Sequence, residues 1–280
     1  MRQDEFGLDA PPAGLYDYSA EITSGIDGFD NVTDADIEQF HALGFLVIHN
    51  AIDQTAIEAG RSGIRDLILS RENDNIMVEA VVGERFYELA DEERLDSVRK
   101  MMPVAPFDER LKTASENAAL LHVIGRIMGE PAALSQDQAM LKPPRIGREK
   151  PWHQDMAYFD YPAQTTIVGA WIALDQAMPE NGCMMVIPGS HHDGPMPHWT
   201  RRDWQICDTD VRVGDSVAVP LPPGGCLLFH CLLHHGSPPT RSDKRRWALQ
   251  FHYCPASVRR LPDSEHRLRV FGADGVDVSC

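Results

Sequence analysis

The order of apolar and polar residues predicts a chain whose two halves are built differently. In the first half, apolar residues recur at three- and four-residue spacing, which is typical of amphipathic helices. From about residue 133 onward, short apolar runs alternate with turns rich in Gly, Pro and Asn, which predicts many short strands. Strands that follow a helical region predict a β-sandwich or barrel with helices packed on its outside.

The first predicted helix begins after Thr33, a residue type favoured at the N-cap, and ends at Gly44. Ile37 and Phe40 fall on its apolar face, and residues 45–48 then read as a short buried strand. Further helices are expected over about 54–70, 84–102 and 108–128.

We find no internal repeat and no linker that would separate independent domains, so we expect a single domain. Its fold class is predicted to be mainly β with flanking helices. The predicted regions are an extended arm over 1–30, a mostly helical part over 31–132, a β core over 133–256 and a C-terminal tail over 257–280.

Composition and charge narrow the classes of function. Of the 280 residues, 43% are hydrophobic and 24% are charged, which is typical of a globular protein. The formal net charge is −16, so the chain repels phosphate backbones and anionic lipid surfaces, and we expect neither a nucleic-acid nor a membrane partner. We make no prediction of the oligomeric state. No apolar run approaches the roughly 18 to 20 residues of a membrane span.

Cysteine usage indicates the compartment. The six cysteines form no CxxC pair, and a chain of this length does not need disulfides to be stable. The first residues lack the apolar segment of a signal peptide. We therefore expect reduced thiols and a cytoplasmic location.

Candidate chemistry begins with the segment WHQDMAYFDY, in which His153 and Asp155 lie two residues apart. In a strand, residues i and i+2 point to the same face. The pair therefore directs one imidazole and one carboxylate into the same cavity, as in the two-histidine, one-carboxylate triad that binds non-haem Fe(II) and leaves positions open. An isolated HxD is a weak signal, and a distant histidine must complete it.

The apolar run that ends in LLHHGS supplies three candidates for the third ligand. His230 and His234 share one face if the run is a single strand, and His235 lies on the other. We favour His235, because it ends the run just before Gly236 and Ser237, where a strand can open toward a cavity. His234 is the main alternative.

Arg246 is the candidate for binding a co-substrate. Oxidation at such a metal needs an electron donor, and the far carboxylate of a 2-oxo acid would need a bidentate cation, the role that suits arginine. Arg246 begins a strand-like run after His235, so that it can point inward together with Ala248 and Gln250.

The HxD pair, the segment AWIALDQAMPENGCMMVIPGSHHDG and the segment LLHHGSPPTRSDKRR occur here in an order and spacing that resemble the phytanoyl-CoA dioxygenase family of Fe(II)/2-oxoglutarate oxygenases. The resemblance extends from about residue 140 to 253. It implies a double-stranded β-helix (a jelly roll, cupin-like), with Fe(II) bound by His153, Asp155 and His235.

The resemblance also implies 2-oxoglutarate and O2 as co-substrates, with Arg246 paired to the second carboxylate of the keto acid. Gln154, Trp171, Ser237 and, with less support, Lys142 match family positions that line the 2-oxoglutarate pocket. Three of them also have an ordinary structural explanation. Trp171 can be a core residue, Ser237 can cap a turn, and Gln154 points away from the metal face in a regular strand.

The implied reaction is hydroxylation or another oxidation of a small organic molecule, with release of succinate and CO2. Halogenating relatives have a small residue in place of the carboxylate, and Asp155 is present here. The alternatives are a non-catalytic jelly-roll binding or sensing protein and a zinc hydrolase or isomerase of cupin-like fold. The sequence leaves the substrate open among acyl-CoA thioesters, amino acids, phosphonates and secondary metabolites.

Overall fold

The computed structural model describes residues 9–70 and 75–280 of the chain. In this part of the chain the helices are α1 (Asp34–Leu43), α2 (Gln54–Leu69), α3 (Asp91–Leu95), α4 (Glu109–Ser115), α5 (Ala118–Met128) and α6 (Glu265–Phe271). The strands are β1 (Ile26–Asp27), β2 (Phe45–His49), β3 (Ile76–Val78), β4 (Val98–Met101), β5 (Ala132–Lys142), β6 (Lys150–His153), β7 (Val168–Ala173), β8 (Met184–Val186), β9 (His198–Thr200), β10 (Trp204–Ile206), β11 (Val217–Val219), β12 (Cys226–His230), β13 (His235–Ser237) and β14 (Arg246–Pro255).

Twelve of the strands form two sheets that face each other, and β9 and β10 pair separately as an antiparallel two-stranded sheet. The larger sheet has the order β1-β2-β12-β7-β14-β5-β4-β3, and the smaller has the order β11-β8-β13-β6. Every pairing in these sheets is antiparallel except that of β1 with β2. The arrangement is the predicted double-stranded β-helix with flanking helices.

Side-chain alternation along the strands of the larger sheet separates two cores. Leu46, Leu228 and Leu249 point outward and pack under the helices, together with Ile64 of α2. Their neighbours on the opposite face, such as Phe229, point inward between the sheets. Each fully buried Leu, Ile or Phe side chain contributes about 1.5–3 kcal/mol, so both faces of this sheet stabilise the fold.

Local sequence signals explain the first helix. The side chain of Thr33 accepts a hydrogen bond from the backbone of Asp36, whose own side chain accepts one from the backbone of Thr33. Gly44 ends the helix with φ 84°, a conformation that glycine adopts without strain. The predictions for α1, for the strand that follows it and for α2 are confirmed.

Two of the predicted helices are interrupted. The stretch 84–102 was expected to be helical, but it forms a 3₁₀ turn, the short α3 and then β4, which pairs with β3 and β5. Sheet pairing decides the conformation of its last residues. The expected helix 108–128 is broken between α4 and α5, because Asn117 caps a new helix by accepting from the backbone of Leu120.

The two ends of the chain are more structured than the sequence predicts. Residues 1–8 of the predicted arm lie outside the described residues. In the rest of the arm, Leu15 is buried between the sheets, and its carbonyl accepts a hydrogen bond from Trp152 Nε1 at 3.0 Å. The predicted tail contains α6, and Phe271 packs beside Met156 in a third apolar cluster. None of the helices in the described residues has the length and apolarity required to span a membrane.

Candidate metal centre

His153 and Asp155 lie at the end of a strand, where the chain changes conformation. His153 is the last residue of β6, Gln154 is still extended (φ −112°, ψ 127°), and Asp155 begins a 3₁₀ turn that ends at Tyr158. The two side chains still meet, with 3.1 Å between His153 Nε2 and Asp155 Oδ1. The predicted alternation therefore holds across Gln154, although the strand itself has already ended.

His235 joins them from the neighbouring strand. It is the first residue of β13 and the antiparallel partner of His153. The centroids of the two imidazole rings are 4.2 Å apart, and His235 Nε2 lies 3.6 Å from Asp155 Oδ1. All three side chains are buried, and their ligand atoms lie within 4.8 Å of one another. The structure thus brings together the three residues that the sequence indicated as metal ligands.

Backbone carbonyls orient both imidazoles. His153 Nδ1 lies 2.7 Å from the carbonyl oxygen of Pro151, and His235 Nδ1 lies 2.9 Å from that of Leu233. A carbonyl can only accept, so each Nδ1 carries the proton and donates it. This leaves Nε2 of each ring as the nitrogen that faces Asp155.

Burial and neighbouring charges set the protonation states. Burial, with a smaller effect of His235, lowers the pKa of His153 to about 4. Burial alone would raise the pKa of Asp155, but His235 and His252 hold it well below its usual range. At neutral pH the centre therefore contains an ionised carboxylate beside the unprotonated Nε2 of His153.

The other two candidate histidines point elsewhere. The run was expected to be one strand, but β12 ends at His230 and the chain turns before β13 begins. The ring of His230 lies beside that of His191, and its Nδ1 accepts from the backbone of Leu232. The ring of His234 is not among the groups whose ligand atoms meet at the centre, and its Nε2 has no partner among the described residues. The choice of His235 over His234 agrees with the geometry, but the parity argument behind it assumed a strand that does not exist.

The second oxygen of Asp155 contacts the larger sheet. Asp155 Oδ2 lies 2.6 Å from His252 Nε2 and 3.1 Å from Gln250 Nε2. Both residues belong to β14 and alternate with its apolar positions. Sequence reasoning placed Gln250 inward with Arg246 but missed His252, although the same two-residue spacing points to it.

Arg246 enters the site from the start of β14. It is 3% exposed, and its guanidinium lies 5.1 Å from the ring centroid of Trp171. Its Nη1 donates to the carbonyl of Met140 at 2.9 Å, whereas its Nε has no hydrogen-bond partner among the described residues. Burial lowers the pKa of Arg246 to about 10, so the group remains a cation at neutral pH with capacity for an anionic ligand.

The remaining predicted pocket residues divide into two groups. Trp171 and Ser237 line the cavity next to the metal centre. Lys142 and Gln154 do not line it. Lys142 Nζ donates to Ser237 Oγ and to the carbonyl of Arg148, both at 2.9 Å, and so supports the pocket wall from behind.

Gln154 is committed to loops on the far side of its strand. Its Nε2 donates to the carbonyls of Gly194 and Leu232, and its Oε1 accepts from the backbone of Met196. It is fully buried and points away from the His153–Asp155 face, as the alternation of a regular strand requires.

The three candidate ligands line one side of a cavity of about 210 Å³. Its wall also includes residues that sequence reasoning did not single out, notably Lys100, Lys150 and Tyr158. Lys150 Nζ donates to Tyr158 OH at 2.8 Å and pairs with Asp203 at 2.5 Å. Burial, with a smaller effect of Lys150, lowers the pKa of Lys100 to about 8. The cavity accommodates a small molecule and has polar groups on several sides.

These features define a class of protein: a double-stranded β-helix that carries a two-histidine, one-carboxylate centre between its sheets. Comparison with known proteins places the chain more narrowly. The family model of phytanoyl-CoA dioxygenase (PhyH) matches residues 40–248, more than half of the chain. The chain therefore belongs to the phytanoyl-CoA dioxygenase family.

Relatives and solved structures agree with this assignment. The chain is 27% identical over 272 residues to the probable phytanoyl-CoA dioxygenase of Caenorhabditis elegans, covering 90% of this chain and 82% of the relative. It is 25% identical over 265 residues to phytanoyl-CoA dioxygenase domain-containing protein 1 of Danio rerio, covering 80% of this chain and 90% of the relative. The fold resembles that of EvdO2 from Micromonospora carbonacea var. aurantiaca, crystallised with 2-oxoglutarate, at a TM-score of 0.68 and 23% identity over 86% of this chain and 98% of that one.

Proposed function

We propose that the protein is an Fe(II)/2-oxoglutarate-dependent dioxygenase that oxidises a small organic molecule and releases succinate and CO2. The observation that carries this proposal is the convergence of His153 Nε2, His235 Nε2 and Asp155 Oδ1 within a buried cavity of the size of a small ligand. Two imidazoles and one carboxylate are the donor set of non-haem Fe(II) oxygenases, and they leave coordination positions open.

The protonation states support a bound cation. With each Nδ1 committed to a backbone carbonyl, both Nε2 atoms are available as metal ligands beside an ionised carboxylate. Three electron-rich atoms so close together repel one another unless a cation lies between them. The residues present therefore fit a divalent metal ion, which His153, Asp155 and His235 would hold.

The wall of the cavity suggests how the co-substrate is oriented. Bound Fe(II) and 2-oxoglutarate would supply the oxidising chemistry with O2. Arg246 is positioned to form a charge-assisted pair with the distal carboxylate of the keto acid, and Ser237 lines the same cavity. Trp171 packs against the guanidinium and limits its movement. Burial of these groups excludes water from the reacting atoms.

Two of the residues implied by the family resemblance receive a different role here. We infer that Lys142 and Gln154 support the pocket rather than contact 2-oxoglutarate, because neither lines the cavity. Lys142 holds Ser237 and the chain after it, and Gln154 joins the loops that follow β8 and β12.

The test is turnover of 2-oxoglutarate by the full chain. We expect succinate from protein, Fe(II), 2-oxoglutarate and O2. The amount should rise when a substrate from a panel of acyl-CoA esters, amino acids, phosphonates and secondary metabolites is added. Asp155→Ala and His235→Ala should each abolish the release. His234→Gln is the matched control, because it changes an adjacent buried histidine outside the centre.

The other outcomes have clear meanings. Metal binding without succinate under any substrate would favour a binding or sensing protein. Activity that persists without O2 and 2-oxoglutarate would favour a zinc hydrolase or isomerase, and it would leave the buried Arg246 without a function.

We also propose a small-molecule substrate without a nucleic-acid partner, and a cytoplasmic location. The net charge of −16 supports the absence of a nucleic-acid partner. The six cysteines are free, as expected in a reducing compartment. A mouse relative is named as peroxisomal, so fractionation of cells that express the chain should distinguish the two locations.

A further inference from the structure

We propose that His252 and Gln250 are positioning residues, which hold one oxygen of Asp155 and leave only the other for the metal ion. This inference rests on the proposed function, because it assumes a metal ion at the centre formed by His153, Asp155 and His235. It concerns β14, which contributes none of those three residues.

The two oxygens of Asp155 face different partners. Oδ1 lies 3.1 Å from His153 Nε2 and 3.6 Å from His235 Nε2, on the side of the smaller sheet. Oδ2 lies 2.6 Å from His252 Nε2 and 3.1 Å from Gln250 Nε2, on the side of the larger sheet. The carboxylate therefore bridges the two sheets, with one oxygen committed to each.

In both contacts Asp155 Oδ2 accepts a hydrogen bond. An ionised carboxylate only accepts hydrogen bonds, so His252 carries its proton on Nε2 and Gln250 presents its amide N–H. The two nitrogens lie 3.1 Å apart because they share one acceptor. His252 Nδ1 has no partner among the described residues, so Nε2 is the nitrogen through which this ring is held to Asp155.

Packing prevents these donors from turning away. His252 is 0% exposed and Gln250 is 4% exposed. The ring of His252 packs edge-to-face with Phe159 at a centroid distance of 5.0 Å and with Phe229 at 6.2 Å. In addition, β14 is paired on both sides, with β5 and with β7, so its backbone cannot shift easily. Rotation of His252 would leave a buried N–H without an acceptor, which is unfavourable.

The consequence is a limit on how Asp155 can bind a metal ion. A carboxylate can offer one oxygen or both, and both would occupy one more position at the metal. With Oδ2 engaged by two donors, Asp155 offers Oδ1 alone. The three-residue centre then keeps the open positions that the co-substrates require. Hydrogen bonds of this kind behind a ligand also orient it and change the affinity for the metal.

The experiment measures Mn(II) binding to the full chain without 2-oxoglutarate, with free Mn(II) followed by electron paramagnetic resonance. His252→Leu removes one donor and Gln250→Leu the other. We expect each to weaken Mn(II) binding about 10–100-fold, the usual range for residues that support a ligand. His252→Gln, which restores an N–H donor, should recover most of the affinity. The visible spectrum of the Co(II)-loaded protein should change in both Leu variants, because it reports the number of ligand atoms.

Tyr253→Phe is the matched control. Tyr253 lies on the same strand and is buried, but its hydroxyl donates to the carbonyl of Ser115, away from the centre. Its Mn(II) affinity should equal that of the unchanged chain. Thermal unfolding of every variant shows whether it is folded. If His252→Leu does not fold, the Mn(II) affinity of Gln250→Leu alone tests the role of these donors.

Two results would overturn the inference: folded Leu variants that bind Mn(II) like the unchanged chain, or no Mn(II) binding by the unchanged chain at all. Failure of the proposed function has a different signature. A chain that binds Mn(II) with the expected dependence on His252 and Gln250, but releases no succinate with Fe(II) and 2-oxoglutarate, would retain this inference and lose the dioxygenase assignment.

Discussion

His153 and His235 face each other across an antiparallel pair of strands, with 4.2 Å between their ring centroids, although they lie far apart in the sequence. Each ring donates its Nδ1 proton to the carbonyl two residues before it. The same local arrangement thus occurs on both strands, and it turns both Nε2 atoms toward Asp155. The fold of the two strands therefore directs both ligand nitrogens to one place.

Metal binding should stabilise the fold. A cation relieves the repulsion among the three electron-rich atoms, and it binds the folded chain better than the unfolded one. We expect Mn(II) at 100 times its dissociation constant to raise the free energy of unfolding by about 2.7 kcal/mol. Denaturant unfolding of chelator-treated protein with and without Mn(II) measures this. An equal gain in Asp155→Ala would show that the ion binds elsewhere.

Replacement of Arg246 should affect 2-oxoglutarate rather than the metal. Loss of a hydrogen bond to a charged group costs about 1.5–3 kcal/mol, so Arg246→Ala should raise the KM for 2-oxoglutarate about 10–100-fold. Arg245→Ala is the matched control, because the side chain of Arg245 pairs instead with Glu92 and Asp96 near the surface. Initial rates of succinate formation at varied 2-oxoglutarate concentration give the KM of each variant. Equal KM values in the two variants would contradict this role of Arg246.

Replacement of Gln154 tests whether this residue contacts 2-oxoglutarate or only stabilises the fold. Gln154→Leu leaves two backbone carbonyls and one backbone N–H without their partner. Each unsatisfied buried group costs about 1–3 kcal/mol, so the variant should unfold at clearly lower denaturant concentration. Its KM for 2-oxoglutarate should change little where it is folded. A large rise in KM without loss of stability would return Gln154 to the co-substrate pocket.

Buried histidines should make the fold sensitive to acid. The ring of His198 donates from Nδ1 to the carbonyl of Met196 and accepts from the backbone of Gln154 at Nε2, so it must be neutral. Burial lowers its pKa to about 3. In the unfolded chain this histidine has the ordinary pKa of about 6.5. The unfolded chain therefore binds more protons than the folded chain between pH 6.5 and 3. Stability is therefore fully present above pH 6.5 and is lost as the pH falls through this window.

Replacement of His198 isolates its contribution to the pH dependence of stability. Denaturant unfolding without metal at pH 7.5, 6.0 and 5.0 should show a steep loss of stability, because burial also lowers the pKa of three further histidines, to between about 3 and 4: His153, His230 and His234. His198→Gln should reduce the slope by at most about 1.4 kcal/mol per pH unit, the contribution of one proton. An unchanged slope in the folded variant would mean that His198 is not held neutral.

Local signals were sufficient wherever neighbouring residues decide the structure. The capping residues Thr33 and Gly44 predicted both ends of α1, because the hydrogen bonds that end a helix are made within a few residues. Periodicity failed for residues 98–101, whose helical pattern yields to pairing with β3 and β5. That pairing depends on strands that are distant in sequence, so no local pattern reports it.

The sequence likewise indicated some residues of the candidate site and missed others. The two-residue spacing of His153 and Asp155, and the family resemblance of the segments after them, were sufficient to propose three ligands and Arg246. His252 was missed because its role arises only when β14 crosses the site and meets Asp155. Gln154 was assigned to the pocket by resemblance, whereas its own strand turns it away.

By itself, the sequence determined the largely helical first part and the strand-rich second part of the chain, the residue types of the metal centre and the family of the chain, since these depend on side-chain chemistry and on spacing along the chain. Only the tertiary structure decided which histidine meets the carboxylate, which nitrogen of each ring is free and which groups hold the second oxygen of Asp155. Those choices depend on where β6, β13 and β14 lie relative to one another, and that is settled by the packing of two whole sheets.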